Sequence, residues 1–410
     1  MIGWLREASP EQRRTLLAAS LGWMLDSMDV MLYAMVLTHL RQALGMSAAT
    51  AGLLASLTLA ASAVGGVLFG VLADRVGRTR ALMASILVYS LFTFACGLAQ
   101  DVVQLAVFRV LLGLGMGGEW ATGAALVAET WPARHRGKAL GVMQSAWAVG
   151  YAIAAAVTAL LLPRFGWRAV FFVGVIPALV TLWIRRSVPE SEVWQQTRAT
   201  RGGWSWSDLA ALGRPPLVRH VLVTLAVSAA TMFGWWGLFT WIPSFLGSAA
   251  AEGGAGLSVV RTSAWVVVMQ AGMWLGYVTF GVIADRVGRR STYVGYLLVA
   301  AALVPVYAAA RDPLLLLVLG PPVAFFGTGY FVGFGVITAE LFPTAIRATA
   351  QGLTYNAGRL ASAVAPWAVG ALAGRHGLGA AFNVVALAFF AAALLALLLP
   401  ETRGREITAG

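Results

Sequence analysis

GVLADRVGRTR, Gly70 to Arg80, returns 211 residues later as GVIADRVGRRS, Gly281 to Ser291. At the same offset ETWPARHRGKALG, beginning at Glu129, falls on ELFPTAIRATAQG, beginning at Glu340, and Pro189-Glu190 falls on Pro400-Glu401. Three anchors at one spacing mark a duplication, and a duplication decides the architecture before any single element does. The copies run in the same orientation, which is the parallel-repeat arrangement of transporter folds.

Outward from the anchors lie apolar runs of membrane length, which takes about 20 residues. They fall at about 15–39, 50–73, 81–99, 103–128, 139–162 and 166–185, then at about 218–247, 261–284, 292–310, 313–339, 348–373 and 378–399. The expected fold is all-α, with twelve transmembrane helices in two six-helix bundles: residues 1–185, a cytoplasmic central loop at 186–217, and 218–410. Composition agrees. Hydrophobic residues make up 59% and charged residues 11%, against about 25% charged in soluble domains.

A net charge of +12 raises the question of nucleic acid, but the basic residues sit in short loops between apolar spans. Arg41, Arg164, Arg168, Arg261, Arg311 and Arg375 are all that the odd-numbered loops hold. The even loops and termini hold 21 of the 29 Lys and Arg. The positive-inside rule therefore places both termini and the central loop in the cytoplasm of a cell with the chain in its plasma (inner) membrane. The partners expected are a lipid bilayer, a small molecule and protons, with no nucleic acid, for a monomer. The charged N-terminus precedes a span too long and too polar at its centre for a cleaved signal peptide. Cys96 is the single cysteine, so no disulfide framework or cysteine-rich metal site forms. His39, His135, His220 and His376 are scattered near span ends without metal-ligand spacing. No nucleophile-and-base motif is present, so neither a cofactor nor an enzyme is expected.

Five ionisable residues lie within spans: Asp26, Asp29, Arg109, Glu119 and Arg359. GWMLDSMDVMLYAM, Gly22 to Met35, carries two aspartates at i, i+3 on one helix face. An acid at that depth costs at least about 2.5 kcal/mol on insertion scales and reads as functional. Glu119 stands about ten residues, roughly 15 Å, from the nearer end of its helix. Desolvation and like-charge neighbours favour a protonated carboxyl, so Asp26, Asp29 and Glu119 form a candidate proton site; the alternative is a structural network with Arg109. Arg109 either neutralises Asp26 or Asp29, binds backbone carbonyls, or takes part in coupling. It opens RVLLGLGMGGE, where Gly113 and Gly117 let a neighbouring helix approach.

No acid in the second half's spans is deep enough to neutralise Arg359. Its planar fork suits a carboxylate bidentately, either from a substrate or from Asp26, Asp29 or Glu119. Asn356, one turn away, and Tyr355 are candidate donors. Trp120, Trp147, Trp235, Trp236 and Tyr330 are candidate pocket walls, or packing residues.

The G-x3-D-R-x-G-R pattern, its copy, and the E-x6-R-G loop at Glu129 with its E-x6-R counterpart at Glu340 resemble the major facilitator superfamily across essentially the whole chain. Pro-Glu-Ser after the sixth run and Pro-Glu-Thr after the twelfth resemble the sugar-porter branch and its metabolite-transporting relatives. Gly118-Glu119-Trp120, the D-x-x-D of Asp26 and Asp29, and Tyr355-Asn356-Ala357-Gly358-Arg359 look most like proton symporters of organic acids: the aromatic-acid, sialate and lactate groups. Ser27 departs from the Asp-Gly-x-Asp of the aromatic-acid group. The resemblance implies a cytoplasmic gate made by Gly70, Asp74, Arg75, Gly77, Arg78, Glu129 and Arg136, with Gly281, Asp285, Arg286, Gly288, Arg289, Glu340 and Arg347 in the copy. On their own chemistry, the glycines Gly70, Gly77, Gly281 and Gly288 permit close helix approach and tight turns. Asp74 and Asp285 pair with arginines or sit at helix N-termini.

The expected function is proton-coupled uptake of a small organic carboxylate by alternating access. The other readings are a drug or metabolite exporter of the same superfamily and, more remotely, a membrane sensor or membrane-embedded enzyme. The run GVMQSAWAVGYAIAAAVTALLLP, without internal proline before Pro163, departs from the Gly-Pro-rich fifth helix of the antiporters and favours symport.

Overall fold

A computed structural model describes residues 7–190, 213–215, 217–342 and 347–403. The side chains of Asp74, Arg136 and Arg347, three of the expected gating residues, lie outside the described residues, as does most of the central loop.

In the first half α1 spans Pro10–Leu44, α2 Ala48–Val76, α3 Arg78–Cys96, α4 Val102–Thr130 and α5 Ala133–Phe172; a tight turn, Val173–Val175, leads into α6, Ile176–Ser187. In the second half α7 spans Leu217–Phe239, α8 Ile242–Gly247, α9 Val259–Val287, α10 Arg289–Ala309, α11 Pro313–Leu341, α12 Arg347–Ser362, α13 Ala365–His376 and α14 Leu378–Ala396. Helices bond their own backbone groups internally, which is what a medium without water demands.

Among the described residues ten helical segments are long and apolar enough to cross a membrane. One of them, Gly137–Ile184, runs 48 residues, about 72 Å at 1.5 Å per residue and far beyond the roughly 30 Å of a bilayer core. It divides at Gly166, whose φ of 75° no helix tolerates, three residues after Pro163. The eleventh apolar run is absent from the ten because it breaks into α12 and α13, with Pro366 in the first turn of α13. All twelve runs are therefore helical. Val67, Leu68, Val71, Val103 and Leu160 stand exposed along these helices, as a surface facing lipid requires.

The chain forms two compact units: Met1–Val36 with Leu57–Gly203, and Leu37–Ser56 with Trp204–Gly410. In the first, α2 and α4 touch backbone to backbone. A Cβ on Gly113 would strike the Thr58 carbonyl, one on Gly117 the Ser62 carbonyl, and one on Gly65 the Leu114 carbonyl. α1 and α5 are as close: Gly150 lies on the Met24 carbonyl, and Ser27 Oγ donates to the Trp147 carbonyl at 2.7 Å.

The second unit repeats the device. Gly276 presses on the Phe325 carbonyl between α9 and α11, and this pair is the 211-residue image of Gly65 and Leu114. Leu37–Ser56 belongs to this unit through α13. Gly52 abuts the Pro366 carbonyl, Gly370 abuts the Ala48 carbonyl, and the Trp367 N–H donates to Ser56 Oγ at 3.1 Å.

Candidate functional site

In the first unit α1, α3 and α4 bring a column of polar groups together. Asp26 and Asp29 are each 1% exposed, Arg109 2% and Glu119 0%, so their charges meet protein rather than water. Glu119 Oε1 lies against the backbone of Gly22, where no Cβ has room. The Tyr89 hydroxyl of α3 donates to the Gly22 carbonyl at 3.3 Å. One turn on is Asp26 and two turns on is Asp29, which lies beside the Thr93 hydroxyl; that hydroxyl donates to the Tyr89 carbonyl at 2.9 Å. Neither oxygen of Asp29 has a hydrogen-bond partner.

Arg109 is not paired with either aspartate. Its guanidinium carbon stands 3.9 Å above the centre of the Tyr33 ring, and its Nε and Nη1 have no hydrogen-bond partner. The ring face carries the negative lobe of a quadrupole, so a desolvated cation is stabilised there without a formal anion. Of the alternatives for Arg109, this excludes an ion pair with Asp26 or Asp29.

In the second unit the polar residues gather on α12. Arg359 is 2% exposed, its Nε has no hydrogen-bond partner, and its guanidinium carbon lies 5.4 Å from the Tyr355 ring centre. Among the described residues it makes no ion pair. Gly358 packs on Ser228 of α7, which holds this part of α12 against that helix. The Asn356 amide donates to the Gly352 carbonyl of its own helix at 3.0 Å. Trp236 meets Trp235 edge to face, their centroids 4.6 Å apart.

Tyr330 is wholly buried, its hydroxyl donates to the Thr231 carbonyl at 3.1 Å, and Tyr293, Phe331 and Phe389 pack around it. Trp120, half-buried, donates from Nε1 to Gln144 Oε1 at 3.3 Å. Trp147 packs on Trp23 at 4.6 Å.

The repeat anchors build one charge arrangement twice. Gly77 and Gly288 adopt φ of 112° and 115°, a region open to glycine and closed to most other residues. Each turn starts a helix whose first amides are capped by a distant glutamate. The N–H groups of Arg78 and Thr79 donate to Glu190 Oε1 at 2.7 and 3.2 Å. Those of Arg289 and Arg290 donate to Glu401 at 2.8 and 3.2 Å. Arg78 Nε lies 3.2 Å from Glu129 Oε1, and Arg289 Nε 3.5 Å from Glu340 Oε1; Arg289 also bonds Asp285. Thr402 Oγ1 donates to Glu340 Oε2 at 2.6 Å.

The sequence marked the arginines and glycines of these turns, but the capping role of Glu190 and Glu401 was missed. Its signal was the common offset of the two Pro-Glu pairs. Arg75 and Arg286 are exposed, without an ion pair among the described residues. Gly70 and Gly281 have open space where a Cβ would stand, which corrects the expectation of close helix approach at these two positions.

A family model described as the Major Facilitator Superfamily matches residues 19–260 and 254–409. The chain is 36% identical to a probable 4-methylmuconolactone transporter of Cupriavidus pinatubonensis, over 99% of this chain and 95% of that one. It is 34% identical to the cis,cis-muconate transport protein of Acinetobacter baylyi, over 91% of each. Among solved structures, the xylose transporter XylE from E. coli in a partially occluded inward-open conformation superposes with a TM-score of 0.79 at 20% identity, covering 97% of this chain and 100% of that one; at that identity it attests the fold. Duplicated glycine turns, twelve helical runs and family match converge: this chain is a multi-pass membrane transporter, not an enzyme, and belongs to the major facilitator superfamily.

Proposed function

We propose that the protein carries a small organic carboxylate into the cell together with protons, by alternating access, with Arg359 as the carboxylate's partner. The observation that carries this reading is the guanidinium of Arg359, buried in α12 without an ion pair among the described residues. A buried charge costs several kcal/mol unless compensated, and a carboxylate cargo supplies the compensation. Tyr355, beneath the guanidinium, and Trp236 on α7 flank the cargo; Asn356 joins only after releasing the Gly352 carbonyl. Relatives named for muconate and methylmuconolactone transport support an organic acid as the substrate class.

The proton belongs to Asp26, Asp29 and Glu119. In lipid-like surroundings a carboxylate is costly and its neutral acid far less so, so each proton loaded lowers the net charge this column carries between states. Arg78 with Glu129, and Arg289 with Asp285 and Glu340, act as cytoplasmic locks that open and close with the cycle. The working molecule is a monomer of two bundles in the plasma (inner) membrane, with both termini cytoplasmic.

Proteoliposomes given an inward proton gradient test the reading, with labelled cis,cis-muconate and a panel of mono-, di- and aromatic carboxylates as cargo. Wild-type protein is expected to accumulate at least one of them and Arg359→Ala none. Undiminished uptake by Arg359→Ala would falsify the substrate assignment.

A further inference from the structure

A side chain of α3, Tyr89, meets the column at Gly22, where Glu119 also packs. Gly22, Asp26, Asp29 and Tyr33 recur at i, i+4, i+7 and i+11, one face of α1. Tyr89, Thr93 and Cys96 recur at i, i+4 and i+7, one face of α3. The two faces meet in register. The Tyr89 hydroxyl reaches the Gly22 carbonyl, Thr93 stands beside Asp29, and Cys96 lies within the fields of both Arg109 and Asp29. α4 closes the third side, with Glu119 at Gly22 and Arg109 over Tyr33, ten residues or about 15 Å apart along the helix.

Tyr89 thus stands at the Glu119 end of the column, on the face of α3 that meets α1. Its hydroxyl bonds the same residue that Glu119 Oε1 abuts, and it lies within the fields of Glu119 from α4 and of Asp26 and Asp29 from α1. Its bond to Gly22 is long: 3.3 Å, against about 2.5–3.0 Å for an ordinary O–H···O bond. The close approach needs glycine at position 22, because any Cβ would occupy the space of the Glu119 carboxyl.

We infer that Tyr89 relays the proton between Glu119 and the aspartates of α1, a role that rests on the proton-coupled reading above. The Glu119 carboxyl protonates the phenol oxygen as the phenol's own proton passes to an aspartate carboxylate. Two protons each change partner, one proton is transferred in net, and the phenol is neutral before and after.

The test reads protons rather than transport, on the purified protein. Transfer from H2O to D2O shifts the infrared C=O stretch of each protonated buried carboxyl, and Asp26→Asn, Asp29→Asn and Glu119→Gln assign the bands. In Tyr89→Phe one set of bands, Glu119 or the aspartates, is expected to exchange about tenfold more slowly or worse, a barrier rise of about 1.4 kcal/mol, while the other keeps its rate. Tyr89→His, which restores a proton-carrying ring, is expected to recover the rate.

Wild-type exchange of every band in Tyr89→Phe overturns the relay. So does slow exchange that Tyr89→His fails to restore, since the effect is then one of packing. Absence of any protonated-carboxyl band in the wild type, from mildly acidic to mildly alkaline pH, overturns the proton-coupled reading itself and the relay with it.

Discussion

At the scale of single residues, two arginines in one medium are handled in two ways. Arg109 is fully buried over Tyr33. The attraction of a desolvated cation to a ring face is about 2 kcal/mol. Tyr33→Leu should therefore lower the thermal stability of the detergent-purified protein by about that much, and Tyr33→Phe, which keeps the ring, by far less. Equal losses in the two variants would remove the cation–π account.

Arg359 has a more distant ring, 5.4 Å away, and a free Nε. Arg359→Lys keeps the charge and loses the fork. One charge-assisted hydrogen bond lost, at about 1.5–3 kcal/mol, predicts carboxylate binding weaker by about 10- to 100-fold, measured by the ligand-induced thermal shift. Both arginines were legible as polar residues in apolar runs. Tyr33, Gly22 and Tyr89 were not, because a tyrosine or glycine is ordinary in a membrane helix until the neighbour it touches is known.

At the scale of elements, the turns Gly77 and Gly288 and their capping glutamates show how a loop motif becomes a fixed structure. Glu401 is partly buried, which raises its pKa, but the N–H groups of Arg403, Arg289, Arg290 and Thr402 bond its carboxylate and pull the pKa below the ordinary value. A carboxylate whose pKa is depressed in the folded state stabilises that state fully above its unfolded pKa, near about 4.3. The contribution fades as pH falls through the lower folded value. Glu401→Gln should accordingly lose stability at neutral pH, by about 1 kcal/mol as for a lost helix cap, and should track the wild type in acid. A constant difference in melting temperature across that range would show that the carboxylate's charge is irrelevant.

At the scale of the whole molecule, the duplication is uneven in chemistry. The turns, the caps and the Gly65–Leu114 and Gly276–Phe325 contacts are repeated, whereas the buried acids belong to the first unit and Arg359 to the second. Gly237 and Thr240 occupy the positions of Asp26 and Asp29 in the copy. A division of labour predicts separable defects. The double variant Asp26→Asn/Asp29→Asn should bind carboxylate within about twofold of the wild type, as independent sites do, yet lose uptake that a protonophore can abolish. Uptake by this variant that still collapses with a protonophore would count against the aspartates as the proton site.

The sequence by itself determined the membrane class, the twelve runs, the duplication and the buried charges, because hydropathy, a fixed offset and a charge in an apolar run are all one-dimensional signals. Tertiary structure alone decided that Arg109 rests on an aromatic ring instead of an aspartate, that Glu190 and Glu401 cap distant helices, and that Gly52 and Gly370 join the Leu37–Ser56 segment to α13. It also decided that Tyr89 and Glu119 meet at Gly22 of α1. Each of these is a contact between residues dozens to hundreds of positions apart, and a membrane helix leaves its neighbours to be chosen by close packing, where a missing Cβ matters more than any motif.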